Sequence, residues 1–260
     1  MAMEKAASFL SSLVGGGGSP EPAATVRSIT IYPLKSCRGI FVPQATVTST
    51  GFRWDRQWMV VNDKGRAVTQ RVEPSLALVG ADMPPEAFAA EDWQPAPDSH
   101  SHMVIRAPGM DPLKIPLAAE HATVDGVAVW GWSGSAYDQG AEAAEWFSAY
   151  LGKPSRLVRF KEVSETRPTD PDYAQGYKVM FVDAFPILIA SQVPNVDQEN
   201  ATPGVEPNET LRTFRSGEVY FGQNLVCKES LSANGKGRII KVGDPVYVLQ
   251  SFSSRDEAPA

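Results

Sequence analysis

The sequence is poor in the side chains that most often bind metals. It has two cysteines and three histidines in 260 residues. Two thiols cannot build a four-thiolate zinc or iron–sulfur site. They read as reduced thiols rather than as a disulfide framework. His100 and His102 form an H-x-H in a loop rich in Pro, Ser and Asp, and His121 stands alone, so no metal site is expected there. Basic residues are also in the minority: 24 Lys and Arg against 30 Asp and Glu give a net charge of -6. A broad nucleic-acid face needs the opposite excess, so no nucleic-acid partner is expected and only a local basic pocket can hold an anion. No apolar run approaches the roughly 20 residues of a membrane-spanning helix. The nearest, Ala6–Val14, ends at the glycine run Gly15–Gly18, and no transmembrane segment is expected. G-x-G-x-x-G, Walker and G-x-S-x-G motifs are missing, which disfavours dinucleotide, P-loop and serine-hydrolase chemistry.

What the chain has is a 43% hydrophobic fraction, enough for a core, and 21 Gly with 21 Pro spread throughout. That punctuation fits many short strands and tight turns. Strands are expected from Val26, over Phe41–Val47, at Gln57–Asn62 with a turn at Asp63-Lys64-Gly65 and a return at Ala67–Gln70, then at Met103–Arg106, Leu113–Leu117, Val124–Trp132 and Arg156–Phe160. Residues 84–101 and Glu162–Tyr177 read as loops, and the carboxylate pair Asp170 and Asp172 falls in the second, as turn residues. Ala141–Leu151 has helical spacing, with Ser135 or Asp138 as cap and Gly152 and Pro154 as stop. Val179–Ala190 reads as a buried strand entering a helix or turn. At Ser191 the composition shifts abruptly to Pro, Asn, Asp and Glu. Arg238–Leu249 reads as a hairpin around Gly243-Asp244. The fold class expected is mainly β with α (α+β), a barrel or sandwich with helices at its edge.

Three segments bring chemistry together. Tyr32–Gly39 ends a strand at Pro33 and presents Lys35, Ser36, Cys37, Arg38 and Gly39, which suits an anion or equally an exposed charged turn. Gly39 would allow close backbone approach to a ligand. Gly51–Trp58 sets Arg53 and Arg56 among two tryptophans and Asp55, either a planar anion site stacked on indole or a surface salt bridge. Phe221-Gly222-Gln223-Asn224 offers an amide pair that suits a pocket wall, or a plain strand.

Ile31–Gly39, Trp54-Asp55-Arg56-Gln57-Trp58, Thr69-Gln70-Arg71-Val72-Glu73-Pro74, Tyr220–Asn224 and Ile240–Tyr247 together resemble MOSC proteins of the amidoxime-reducing type. The resemblance implies a MOSC N-terminal β-barrel region at 25–160 and a truncated MOSC β-barrel domain at 161–250, between a flexible leader (1–24) and a tail (251–260). It implies a molybdenum–pterin cofactor, reduction of N-hydroxylated compounds, and electrons from a cytochrome b5 and its NADH-dependent reductase. Lys35, Ser36 and Arg56 would hold the phosphate and pterin end, and Asp183, in an Asp-x-x-Pro segment, would shape the same pocket. Cytoplasm is the default compartment, and the resemblance allows a mitochondrial one.

The chain departs from the family pattern after Gln192. The family's segment with its metal-ligating cysteine looks excised between Gln192 and Val193, so impaired reductase activity is expected, and an uncovered apolar strand at Val179–Ala190. Cys37 stands near Lys35, whose charge would draw its pKa down, but in the family the metal ligand is a separate cysteine. The alternative is a non-catalytic protein that binds a pterin phosphate or small anion. Pyridoxal phosphate, with Lys35 as its Schiff-base amine, is disfavoured.

Overall fold

The computed structural model of the protein describes residues 21–89, 93–95, 101–118, 122–190, 222–227 and 238–248. Most of the leader, His100, His121, Tyr220, Phe221, the Gln192–Val193 joint and the tail lie outside the described residues. The strands are β1 (Ala24–Thr25), β2 (Ile29–Ile31), β3 (Ile40–Val42), β4 (Gln44–Thr48), β5 (Gly51–Phe52), β6 (Trp58–Asn62) and β7 (Gly80–Asp82). They continue with β8 (His102–Arg106), β9 (Leu113–Pro116), β10 (Thr123–Val129), β11 (Trp132–Asp138), β12 (Ser155–Phe160) and β13 (Arg167–Pro168). The last are β14 (Lys178–Val179), β15 (Ile187–Ile189), β16 (Gln223–Leu225), β17 (Ile239–Lys241) and β18 (Pro245–Val246). Among the described residues three α-helices interrupt them: α1 (Glu86–Ala89), α2 (Ala141–Leu151) and α3 (Pro171–Ala174). The chain is therefore mainly β with few helices, as its Gly and Pro punctuation predicts.

Contacts divide the chain into two units. In one, spanning Met1–Arg27 and Val242–Pro259, β1 pairs antiparallel with β18, Ala24 opposite Val246. The other, Ser28–Lys241, carries the main core. Its largest sheet has the antiparallel order β10-β11-β12-β6. Alternation places Met59, Val61, Val158 and Phe160 on one face, where they join Val127, Val129, Met180 and Phe181. Phe181 meets Phe160 edge to face, with centroids 5.2 Å apart, and meets Trp132 in the same way at 6.3 Å. The opposite face carries Trp58, Val60 and Leu157, all fully buried, and α2 packs against β12.

Several local expectations change. The helix Ala141–Leu151 is present and Gly152 closes it in the left-handed region, but neither Ser135 nor Asp138 is its cap. Both lie on β11, because Val124–Trp132 is not one strand: β10 ends at Val129, the chain turns at Trp130-Gly131 and β11 begins at Trp132. Gly140 caps the helix instead, its N–H donating to Asp138 Oδ1 at 2.9 Å. The polar stretch 84–101 contains α1, and Glu162–Tyr177 contains β13 and α3, which Asp170 caps through the Asp172 N–H. Arg238–Leu249 is no hairpin: β17 pairs with β4 and β18 with β1. The run Val179–Ala190 is buried only in its first half. Leu188 and Ile189, on β15, are nearly half exposed, and their strand is paired with β16 alone among the described residues.

The ring of Phe181 is thus a keystone between the sheet and the segment that follows it. Phe181→Ala should lower the unfolding free energy by about 3–5 kcal/mol, whereas Leu188→Ala should cost no more than about 1 kcal/mol. Urea unfolding of the two variants checks this ordering.

Candidate functional site

Two of the segments singled out by sequence are zipped together. Pro33 ends β2, and the chain then runs beside the approach to β6. Trp58 N donates to Pro33 O at 3.1 Å, Lys35 N to Trp58 O at 2.8 Å and Arg56 N to Tyr32 O at 2.7 Å. Ser36, Trp54 and Arg56 all adopt positive φ, at 65°, 70° and 47°. Three non-glycine residues in the left-handed region within two adjoining loops are a concentration of strain, of the kind that clusters at functional sites.

Two further segments close around this pair. Gln70 donates from Nε2 to Ser36 O at 2.7 Å, which brings up the loop carrying Arg71. Phe181 N donates to Arg56 O at 3.2 Å, anchoring the segment that carries Asp183. Arg167, buried, braces that segment by donating to the carbonyls of Met180 (2.8 Å), Val182 (2.6 Å) and Asp183 (2.5 Å). Lys35 Nζ then donates to Asp183 Oδ1 at 2.6 Å, with the lysine side chain 4% exposed and the aspartate 68% exposed.

Arg56 pairs with the buried Asp55 and lies over the Tyr32 ring at 4.4 Å. Asp55 Oδ1 also accepts the Tyr32 N–H at 2.8 Å. Expected indole stacking occurs instead at Arg53, over Trp54 at 5.1 Å. Arg53 also donates to Trp93 O. Trp130, at the hairpin turn, has a φ of 52°, is 51% exposed, and faces both Lys35 (5.4 Å) and Arg71 (5.1 Å).

Electrostatics follow from this packing. Burial holds Lys35 below the usual lysine range, reinforced by Arg167 and Arg56, while Asp183 opposes it. Burial would raise Asp183, yet Lys35, Arg71 and Arg56 outweigh it and hold the carboxyl below its ordinary 3.8. Burial pushes Asp55 up, against the pull of Arg56 and the Tyr32 N–H. Lys35, Arg56, Arg71 and Arg167 against Asp55 and Asp183 leave a formal +2 in a chain of net -6. The arrangement can hold an anion.

The structure brings Lys35, Arg56 and Asp183 together, and Ser36 follows Lys35 in the chain and is pinned through its carbonyl. Two other expectations do not hold. Cys37 is fully buried, and burial pushes its thiol far above its ordinary pKa. Gly39 makes room for Thr30 and Tyr32 rather than for a ligand: a Cβ there would lie 2.4 Å from Thr30 Cγ2 and 2.8 Å from Tyr32 Cε1. Of the two readings open for Gln223 and Asn224, the plain strand holds: both lie exposed on β16, where Gln223 Nε2 donates to Asn224 O at 3.2 Å. Sequence reasoning missed Arg71, Trp130 and Arg167 as members of the site. Trp130-Gly131 between alternating strands was the legible signal for a hairpin tip.

If Asp183 is the counter-charge to Lys35, Asp183→Asn should shift the Lys35 titration midpoint further down. NMR titration of the lysine ε-methylene signals reads it directly, and an unchanged midpoint would remove Asp183 from that role. The sign for stability follows the same logic. The ionised Asp183 stabilises the fold above pH 3.8, and that contribution disappears as pH falls through its lowered native value.

The MOSC N-terminal beta barrel domain family matches residues 23–154, about half of the chain. The chain is similar to mitochondrial amidoxime reducing component 2 of Bos taurus, at 32% identity over 212 residues, covering 78% of this chain and 57% of that protein. Mitochondrial amidoxime-reducing component 1 of Mus musculus is 28% identical over 218 residues, with 81% and 59% covered. Molybdenum cofactor sulfurase of Homo sapiens is 32% identical over 159 residues, 60% of this chain but 16% of that protein. The chain thus spans under three fifths of the length of these amidoxime-reducing relatives. With its β-rich architecture and this match over half its length, the chain belongs to the MOSC N-terminal β-barrel family.

Proposed function

We propose that the protein binds the phosphate and pterin end of a molybdenum–pterin cofactor, and that in this form it is a weak or inactive member of an N-hydroxy-compound reductase family. Relatives named for amidoxime reduction and for the molybdenum cofactor support the family context. The observation that carries the reading is the cationic cradle of Lys35 and Arg56 on two fixed loops. Ammonium and guanidinium donors held by backbone hydrogen bonds suit phosphate oxygens.

The fit is different at the two ends of such a cofactor. At the phosphate end, Lys35 and Arg56 supply charge, and the exposed Asp183 carboxylate is the group an entering anion displaces. At the metal end, molybdenum takes a soft, deprotonated sulfur. Cys37 does not fit, being buried as a protonated thiol. Among the described residues no group of three His, Cys, Asp or Glu side chains gathers for a metal. When bound, the cofactor would supply two-electron redox chemistry at molybdenum. The chain's own part is to bind and orient the anionic end. Cytochrome b5 and its NADH-dependent reductase are the proposed electron donors by family resemblance.

A second reading is a non-catalytic binder of a pterin phosphate or small anion, favoured by the same asymmetry between a formed anion cradle and an unsuited Cys37. Two measurements separate the readings. Metal analysis of protein from a cofactor-competent host should give molybdenum well below one per chain and negligible benzamidoxime turnover. Near-stoichiometric molybdenum with turnover would overturn the proposed impairment.

The cradle itself is tested by substitution. Burial disfavours the charged Lys35, so Lys35→Met should leave the melting temperature unchanged or raised. Both Lys35→Met and Arg56→Glu should weaken phosphate binding at least tenfold. Wild-type affinity in both variants would refute the cradle.

A further inference from the structure

Lys35 and Arg56 are not the cations with the most to offer an incoming anion, because each already has a carboxylate partner, Asp183 for one and Asp55 for the other. Arg71 differs. It is exposed, and among the described residues its guanidinium has no carboxylate within ion-pairing distance. It lies against the Trp130 ring, with the guanidinium carbon 5.1 Å from the ring centroid. Lys35 faces that ring too, at 5.4 Å, so one indole contacts both cations. Arg71 also acts electrostatically on Asp183, the carboxylate that covers Lys35. Its loop is tied to Ser36 through Gln70.

Trp130 is in an unfavourable position for a tryptophan. Its φ of 52° is a conformation bulky residues rarely adopt, and the residue is 51% exposed. Asn or Gly would suit the backbone of this turn better. Strain and exposure at one residue need a return, and the contact with two cations is the visible one.

We propose that Arg71, held on Trp130, is the third cation of the anion site and gives it preference for a doubly charged phosphate over a singly charged carboxylate. The proposal rests on the reading of Lys35 and Arg56 as an anion cradle. The charges set the preference: Asp183 and Asp55 already neutralise two of the three cations in part, and a third guanidinium, with no ion-paired carboxylate among the described residues, matches the second charge of a phosphate. The guanidinium fork also matches two phosphate oxygens at once.

The test titrates the full chain with inorganic phosphate at pH 8, where phosphate is mainly the dianion, and with acetate, both followed by calorimetry at low ionic strength. Arg71→Ala should weaken phosphate binding fivefold or more, change acetate binding less than twofold, and leave the melting temperature unchanged, since the side chain is exposed. Arg71→Lys should recover part of the loss. Trp130→Asn should weaken phosphate binding while keeping or raising the melting temperature, an outcome that a purely structural tryptophan would not give. Should Arg71→Ala misfold, Arg71→Gln takes its place. Wild-type phosphate affinity in the Arg71 variants, with affinity lost in Arg56→Glu, overturns the role of Arg71 and leaves the cradle standing. Unchanged affinity in all of these variants, or no phosphate binding by the wild type, overturns both.

Discussion

A lysine ammonium almost shut off from solvent imposes the main constraint on this protein. Burying a charge is costly unless a counter-charge and hydrogen bonds accompany it. Lys35 receives one strong partner, Asp183, from a segment 148 residues further along the chain. That partner stays in reach because Arg167 grips three backbone carbonyls around it and Phe181 is locked among Phe160 and Trp132. The hydrophobic core and the polar site are therefore one construction. The segment that fills the core with its rings also carries the carboxylate that makes the buried lysine tolerable.

The same constraint explains the backbone around it. A lysine, a serine and an arginine are brought together by two loops hydrogen-bonded edge to edge, with Ser36, Trp54 and Arg56 in left-handed conformations where no glycine eases the strain. A protein under selection for stability alone has no use for such a knot, or for a half-exposed tryptophan at a hairpin tip. The cost becomes intelligible if the loops must aim their donors at something outside the chain. Asp183 then acts as an internal stand-in, an exposed carboxylate occupying the ammonium until a stronger anion competes.

Much of this was legible in the residues. Lys35, Ser36, Arg56 and Asp183 were readable from motif and resemblance, and helix α2 from its spacing and its Gly152 stop. The errors share a cause. Gly39 and Cys37 stand beside Lys35 in the chain, and nearness along the chain suggests ligand-facing roles for them. In the folded protein Gly39 backs onto Tyr32, and Cys37 is enclosed, where desolvation disfavours its thiolate. Arg238–Leu249 reads as a hairpin because its turn is real, yet its two strands pair with different partners. Local pattern cannot choose between an adjacent strand and a distant one.

The sequence by itself determined the strand-rich class, the helix Ala141–Leu151, the scarcity of metal-binding side chains and the local cationic motifs in an acidic chain. Each of these depends on composition or on spacing within one segment. Only the tertiary structure decided which charges meet: Asp183 with Lys35, Arg71 with Trp130, Arg167 with the carbonyls behind them. Those meetings join residues from more than ten to more than a hundred positions apart. Coulomb and hydrogen-bond energies act over a few ångströms of space, a distance that chain position does not encode.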